Sequence, residues 1–192
     1  PPDFGTLYSG RALEFDGVVD YVNCGDNPAF DVGSDDFTLT LWVNTSTAIS
    51  SSDWARLAFY GESGGSGDYR YSIVINDDEY LGFDIDDNTT AKSVETSTAY
   101  NDGKWHQVVG VRDGTDIKLY VDGVLKATTA IGSYGSLDMP GESFYIGAEN
   151  NSGSVDKYFT GKLANVQLWG AAWSSSDVQY AYTHPEKFAY NT

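Results

Sequence analysis

Apolar side chains recur at every second residue in short runs along this chain, the period of a strand that buries one face. The clearest run is 37–43, where Phe37, Leu39, Leu41 and Val43 share one face and Thr38, Thr40 and Trp42 share the other. Residues 54–61 alternate too, with Leu57 and Phe59 directed one way and Trp54, Arg56 and Tyr60 the other, so an aromatic and cationic face is expected. Strands follow at 69–75 and 80–86, parted by the turn formers Asn76-Asp77-Asp78-Glu79. In the second of these Leu81, Phe83 and Ile85 form the core set, and Tyr80, Asp84 and Asp86 the opposite one. Residues 104–112, 117–121 and 124–129 read as a meander whose turns carry Asp113-Gly114 and Asp122-Gly123, strong short-range hairpin signals.

Further strands are expected at 12–15, 21–24, 144–147 and 158–169, with a long loop at 131–141 and a polar loop at 148–157. One helix is predicted near the end, N-capped by Ser174 with Asp177 three residues on as in a capping box, with Val178 and Tyr182 one turn apart. His184-Pro185 ends it. Many short strands, no strand-helix alternation and one terminal helix predict an all-β fold, an antiparallel two-sheet jelly-roll β-sandwich. The 192 residues suit a single domain spanning 1–192, with 1–10 as an edge segment or linker. The start, Pro1-Pro2-Asp3, reads as that of a piece from a longer or processed chain.

Charge narrows the candidate partners. With 28 acidic against 11 basic residues the formal charge is -17, a field that repels phosphate backbones and anionic headgroups. Neither nucleic acid binding nor membrane insertion is expected, and no run approaches the ~20 apolar residues of a spanning helix. Clustered carboxylates attract divalent cations instead, and many of the Asp residues stand beside Gly or Asn, as in oxygen-rich calcium loops. Cys24 is the only cysteine, so no internal disulfide and no multi-cysteine metal site can form.

Four segments, taken in order, resemble the laminin-G-like superfamily within the concanavalin A-like lectin and glucanase fold, its bacterial and phage-associated members in particular. They are RALEFDGVVDYVNCG at the opening strand pair, FTLTLWVNT, DGKWHQVVGVRDGTDIKLYVDGVLKA, and YIGAENN followed by FTGKLANVQLWGAAWSSSDV at the close. The match runs from about Arg11 to Val178 and implies the sandwich fold. That superfamily contains lectins, receptor-binding modules, adhesins and some enzymes, so it implies a range of functions. The resemblance of GDYRYSIVINDDEYLGFDIDDN to calcium-holding laminin G and neurexin modules implies a Ca2+ site with Asp68 as first ligand, the Ile85-Asp86 region as second, and the loop bearing Asp138 closing it. Where many relatives carry an acid after the hydrophobic residue of the closing strand, this chain has Ala164 after Leu163, with Asn165 beside it.

For an organic ligand, Trp54, Arg56, Tyr60 and Arg70 form the first candidate surface, because rings stack on the apolar faces of sugars and arginines donate to hydroxyls. Loop residues Glu149, Asn150, Asn151 and Asp156 are a second. Catalysis is not expected. His106 lies inside a widely shared strand motif, His184 has no triad context, and Glu79, Asp84 and Asp86 lack the same-face spacing of β-glucanase acids. The expected function is a non-catalytic, calcium-assisted carbohydrate-binding module for a glycan or cell-surface polysaccharide, in an extracellular, cell-surface or virion-associated setting. The alternatives are a module with a protein partner, as in a virion fibre or adhesin, and, below it, a glycoside hydrolase.

Overall fold

A computed structural model describes residues 12–50, 53–64 and 68–188; the expected edge segment at 1–10 lies outside them. The strands in chain order are β1 (Leu13–Asp16), β2 (Val22–Asn23), β3 (Phe37–Asn44), β4 (Trp54–Glu62), β5 (Tyr69–Asn76), β6 (Leu81–Asp87) and β7 (Ala91–Glu95). Then come β8 (His106–Asp113), β9 (Asp116–Val121), β10 (Val124–Ala130), β11 (Phe144–Ile146), β12 (Glu149–Asn151), β13 (Ser154–Asp156) and β14 (Thr160–Trp169). Helix α1 (Ser175–Thr183) follows, with a further helical turn at Pro185–Phe188. One six-stranded sheet runs β1-β14-β3-β8-β9-β10 and the other β2-β11-β4-β5-β6-β7, all pairs antiparallel; β12 and β13 form a separate small hairpin. The predicted jelly-roll sandwich is what the chain forms.

The alternation of β3 shows why. Phe37, Leu39, Leu41 and Val43 enter the core between the sheets, facing Tyr71, Ile73 and Phe83 of the second sheet. Thr38, Thr40 and Trp42 point outward yet are buried as well, because the C-terminal segment covers them. Thr38 Oγ1 donates to the Ala171 carbonyl at 2.8 Å and accepts from Trp173 N at 2.9 Å, while the Tyr182 ring stacks on Trp42 at 5.9 Å. The capping box forms: Ser174 Oγ accepts from Asp177 N and Asp177 Oδ2 accepts from Ser174 N. At the β9–β10 turn Asp122 and Gly123 have φ of 54° and 77°, the left-handed pair that a two-residue I′ hairpin requires.

The first sheet therefore has its outer face roofed by α1. On the second sheet Trp54, Ser93 and Glu95 of the outer face are exposed, while Arg56, Phe59 and Ser72 are buried and the β12–β13 hairpin lies beside the end of β4 through an isolated bridge between Ser63 and Asn151. Among the described residues no helix is long and apolar enough to cross a membrane.

His106, at the start of β8, sits between two carboxylates. Its Nδ1 lies 2.7 Å from Asp122 Oδ2 and its Nε2 3.1 Å from Asp102 Oδ1, with the Tyr100 ring edge-on at 4.9 Å. Burial pushes the imidazole pKa down, but hydrogen bonding and charge from Asp122 and then Asp102 outweigh it, and the net shift is upward from 6.5. A pKa raised in the folded state gives stability that is complete below the unfolded pKa of 6.5 and lost as pH rises through the folded value. Only the doubly protonated ring donates to both carboxylates. In thermal melts the Tm difference between wild type and His106→Gln should therefore be largest near pH 5.5 and shrink by pH 8.5; a difference that grows with pH contradicts this.

Candidate functional site

Outer-face residues of the second sheet are set by register. Strand β5 directs Arg70, Ser72, Val74 and Asn76 outward, opposite Asp86, Asp84 and Gly82 of β6, which in turn face Ala91, Ser93 and Glu95 of the edge strand β7. From β4 come Trp54, paired with Asn76, and Arg56, paired with Val74. These strands line a groove of about 260 Å³ bounded by Trp54, Arg56, Arg70, Val74, Asp84 and Glu95. Gly82 keeps its floor low, since a Cβ there would sit 2.9 Å from Val74 Cγ2.

A network of ions underlies the groove. Arg56 donates through Nε to Glu149 Oε2 at 2.6 Å and through Nη1 to Ser72 Oγ at 2.7 Å and Asp84 Oδ1 at 3.1 Å. Arg70 donates through Nε to Asp84 Oδ2 at 2.8 Å and sets Nη1 3.2 Å from Asp86 Oδ2. Ser72 Oγ also donates to Asp84. Asp84 thus sits between two guanidiniums. Burial pushes its carboxyl pKa up, but Arg56 and Arg70 more than offset that and hold it below the ordinary 3.8. Asp86 goes the other way: burial raises it further than Arg70 lowers it. Trp54 stands at the rim, 41% exposed, with Lys157 Nζ 4.7 Å and the Arg56 guanidinium 5.8 Å from its ring centroid. Lys157 is itself bound to Asp53 at 2.6 Å.

Of the predicted ligand residues, Trp54, Arg56 and Arg70 are brought together here. Tyr60 is not, and its expected facing is corrected. A β-bulge between Arg56 and Ala58 puts both Leu57 and Ala58 into the core and reverses the alternation beyond them. Phe59 then lies outward, its ring 5.4 Å from the Arg56 guanidinium, and Tyr60 turns inward. There the fully buried Tyr60 hydroxyl donates to Asp31 Oδ1 at 2.6 Å, and burial together with Asp31 pushes its pKa up. Asn150 and Asn151 belong to the β12–β13 hairpin and do not line the groove. Asn150 holds the hairpin, accepting from Gly153 N at 3.0 Å and donating to Glu142 Oε2 at 3.1 Å. Their neighbour Glu149, buried on Arg56, joins the network from below.

Of the residues expected to hold calcium, Asp68 and Asp86 flank Arg70, and Asp138 stands on a separate loop. Arg70 Nη1 lies 3.9 Å from the first. Asp68 Oδ1 accepts from Gly64 N at 2.8 Å, and Asp138 faces Gly33 on another loop. Among the described residues no group of three or more His, Cys, Asp or Glu side chains is placed to hold a metal ion. Asn165, beside the missing acid, turns at φ 52° in a second bulge and accepts from Gln167 Nε2 at 2.6 Å.

Sequence reasoning missed Val74, Asn76, Ser93 and Glu95. Strand β7 has a single buried apolar residue, Val94, so its five residues carry too little periodicity to mark a strand.

Comparison with known proteins agrees with this architecture. A neurexin-like receptor of Caenorhabditis elegans is 28% identical over 113 residues, which cover 57% of this chain and only 10% of that receptor. The chain thus spans about a tenth of that relative's length. Among solved structures, the carbohydrate-binding module CBM40 of the Ruminococcus gnavus IT-sialidase superposes with a TM-score of 0.68 at 15% identity, covering 90% of this chain and 96% of that one. The binding domain of botulinum neurotoxin serotype G gives 0.69 at 13% identity, covering 91% and 42%. At such identities the likeness concerns the fold. The sequence pattern of the concanavalin A-like lectin/glucanases superfamily matches residues 16–179, and the chain belongs to that superfamily.

Proposed function

We propose that this domain is a non-catalytic, lectin-like carbohydrate-binding module of an extracellular or surface protein, with its glycan site in the groove on the outer face of the second sheet. The observation that carries this is an exposed Trp54 beside an open groove whose polar groups are held rigid by the Arg56–Asp84–Arg70 network. An exposed indole offers an apolar face for a sugar ring, and amide, hydroxyl and carboxylate groups from Asn76, Ser93 and Glu95 offer both donors and acceptors. The volume falls below the roughly 300–1,000 Å³ of drug-sized pockets and suits one sugar residue of a chain that continues into solvent. The structurally similar CBM40 has been seen with sialyllactose bound, which supports a glycan as the ligand class.

The same network argues against hydrolysis. A general acid needs a raised pKa, and Asp84 is held low by two cations while its oxygens are committed to Ser72, Arg56 and Arg70.

The test is a glycan array on the purified chain followed by calorimetry on the best ligand. Trp54→Ala should weaken binding about tenfold, equivalent to about 1.4 kcal/mol. Leu125→Ala, an exposed apolar residue on β10 of the other sheet, should leave affinity unchanged. Equal affinity for Trp54→Ala and wild type would move the site elsewhere.

A further inference from the structure

The groove also has a charge balance, and it bears on which sugars can enter. Charge can choose among sugars only if this groove is the glycan site, so the inference rests on that proposal. Lys92 belongs to the segment of β7 that lines the groove, but it shares the parity of Val94, a core residue, so its side chain leaves on the inner side of the edge strand. Among the described residues the cations that leave their strands on the groove face are Arg56 and Arg70. Both are committed: Arg56 to Glu149 and Asp84, Arg70 to Asp84 and Asp86, with Asp68 beyond. Glu95 adds a carboxylate at the rim, 3.5 Å from Asn76 Nδ2. Lys157, beyond Trp54, is balanced by Asp53.

The two guanidiniums are thus paired with Asp84, Asp86 and Glu149, and Glu95 adds a further carboxylate to the groove lining. An incoming sugar carboxylate meets two guanidiniums that are already paired and would have to break an existing partly buried pair, which works against binding. The chain's net charge of -17 adds repulsion at longer range. A hydroxyl needs no net charge, and Glu95, Ser93 and Asn76 supply acceptors and donors around the Trp54 ring. We infer that the groove selects uncharged sugar residues and discriminates against carboxylate-bearing ones, sialic and uronic acids included.

The experiment uses matched glycan pairs, the same uncharged oligosaccharide with and without a terminal sialic acid or uronic acid, titrated into the whole chain at two salt concentrations. Uncharged members are expected to bind at least about tenfold more tightly than their acidic counterparts, with the gap widening at low salt. Glu95→Lys, at an exposed position, should narrow that gap severalfold, and a gap that this variant leaves unchanged counts against groove charge as its cause. Tighter binding of the acidic members through a Trp54-dependent site would overturn this inference and leave the groove as the glycan site. Binding of neither class, or binding indifferent to Trp54→Ala, would overturn both.

Discussion

Replacing Asp84 by Ala should lower the stability of the folded chain by about 3–5 kcal/mol, the range for removing one partner of a buried ion pair. Asp84 receives hydrogen bonds from Arg56, Arg70 and Ser72, and the side chains of both arginines are at least 85% buried. Its loss leaves Arg70 with Asp86 and the distant Asp68, and leaves Arg56 with Glu149 alone among carboxylates. For a domain of this length the change corresponds to a fall in Tm of about 10 °C, read by calorimetry at neutral pH. The pH dependence supplies a second signature. The Asp84 pKa is depressed from 3.8, so its contribution is intact above that value and disappears as pH falls through the folded pKa; the deficit of Asp84→Ala should therefore vanish in strong acid. A variant within about 0.5 kcal/mol of wild type would show that the network is ornamental to the fold.

Gly110→Val should be nearly as damaging, for a steric reason. Gly110 lies at the centre of β8, paired with Leu39 and Leu119, and a Cβ there would fall 2.4 Å from Cδ2 and 2.5 Å from Cγ of Phe83. Phe83 is fully buried and projects from the opposite sheet, so the strike is on a ring with nowhere to turn. Overpacking of this kind costs about 1–3 kcal/mol and more where both neighbours are rigid. Shortening the ring, as in Phe83→Leu, should recover part of the loss in the double variant. Denaturant unfolding of the four-member cycle checks this, and additive losses would contradict the contact.

These two positions mark what the chain declares locally and what it does not. The core face of β6 is readable from Leu81, Phe83 and Ile85 because alternation is unbroken there, and the same regularity exposes β3 and the β8–β9–β10 meander. Asp122-Gly123 and Ser174 with Asp177 are legible because backbone sterics and helix-end donors admit few residue types. Gly110 gives no such sign, since its reason is a ring 27 positions away on the other sheet. Tyr60 misleads because one extra residue in β4 reverses the alternation, and no feature of Leu57-Ala58 announces the bulge. Half of the candidate site, Trp54, Arg56 and Arg70, is visible as residue type on the outward phase of adjacent strands. Its other half depends on β7 and on the β12–β13 hairpin, elements too short to carry a period, and the pairing of Glu149 with Arg56 spans 93 residues. Asp68 and Asp86 look like calcium ligands in one dimension. In three dimensions both carboxylates also face Arg70, a contact that no local pattern announces.

The central claim, that the groove on the outer face of the second sheet holds the glycan, is most directly tested by mapping backbone and indole NMR shifts of the isotope-labelled chain during titration with its best array ligand. Shift changes are expected at Trp54 Nε1-H and the amides of Asn76, Gly82, Ser93 and Glu95, saturating together. Changes confined to the β12–β13 hairpin tip or the face under α1, with Trp54 silent, would contradict it.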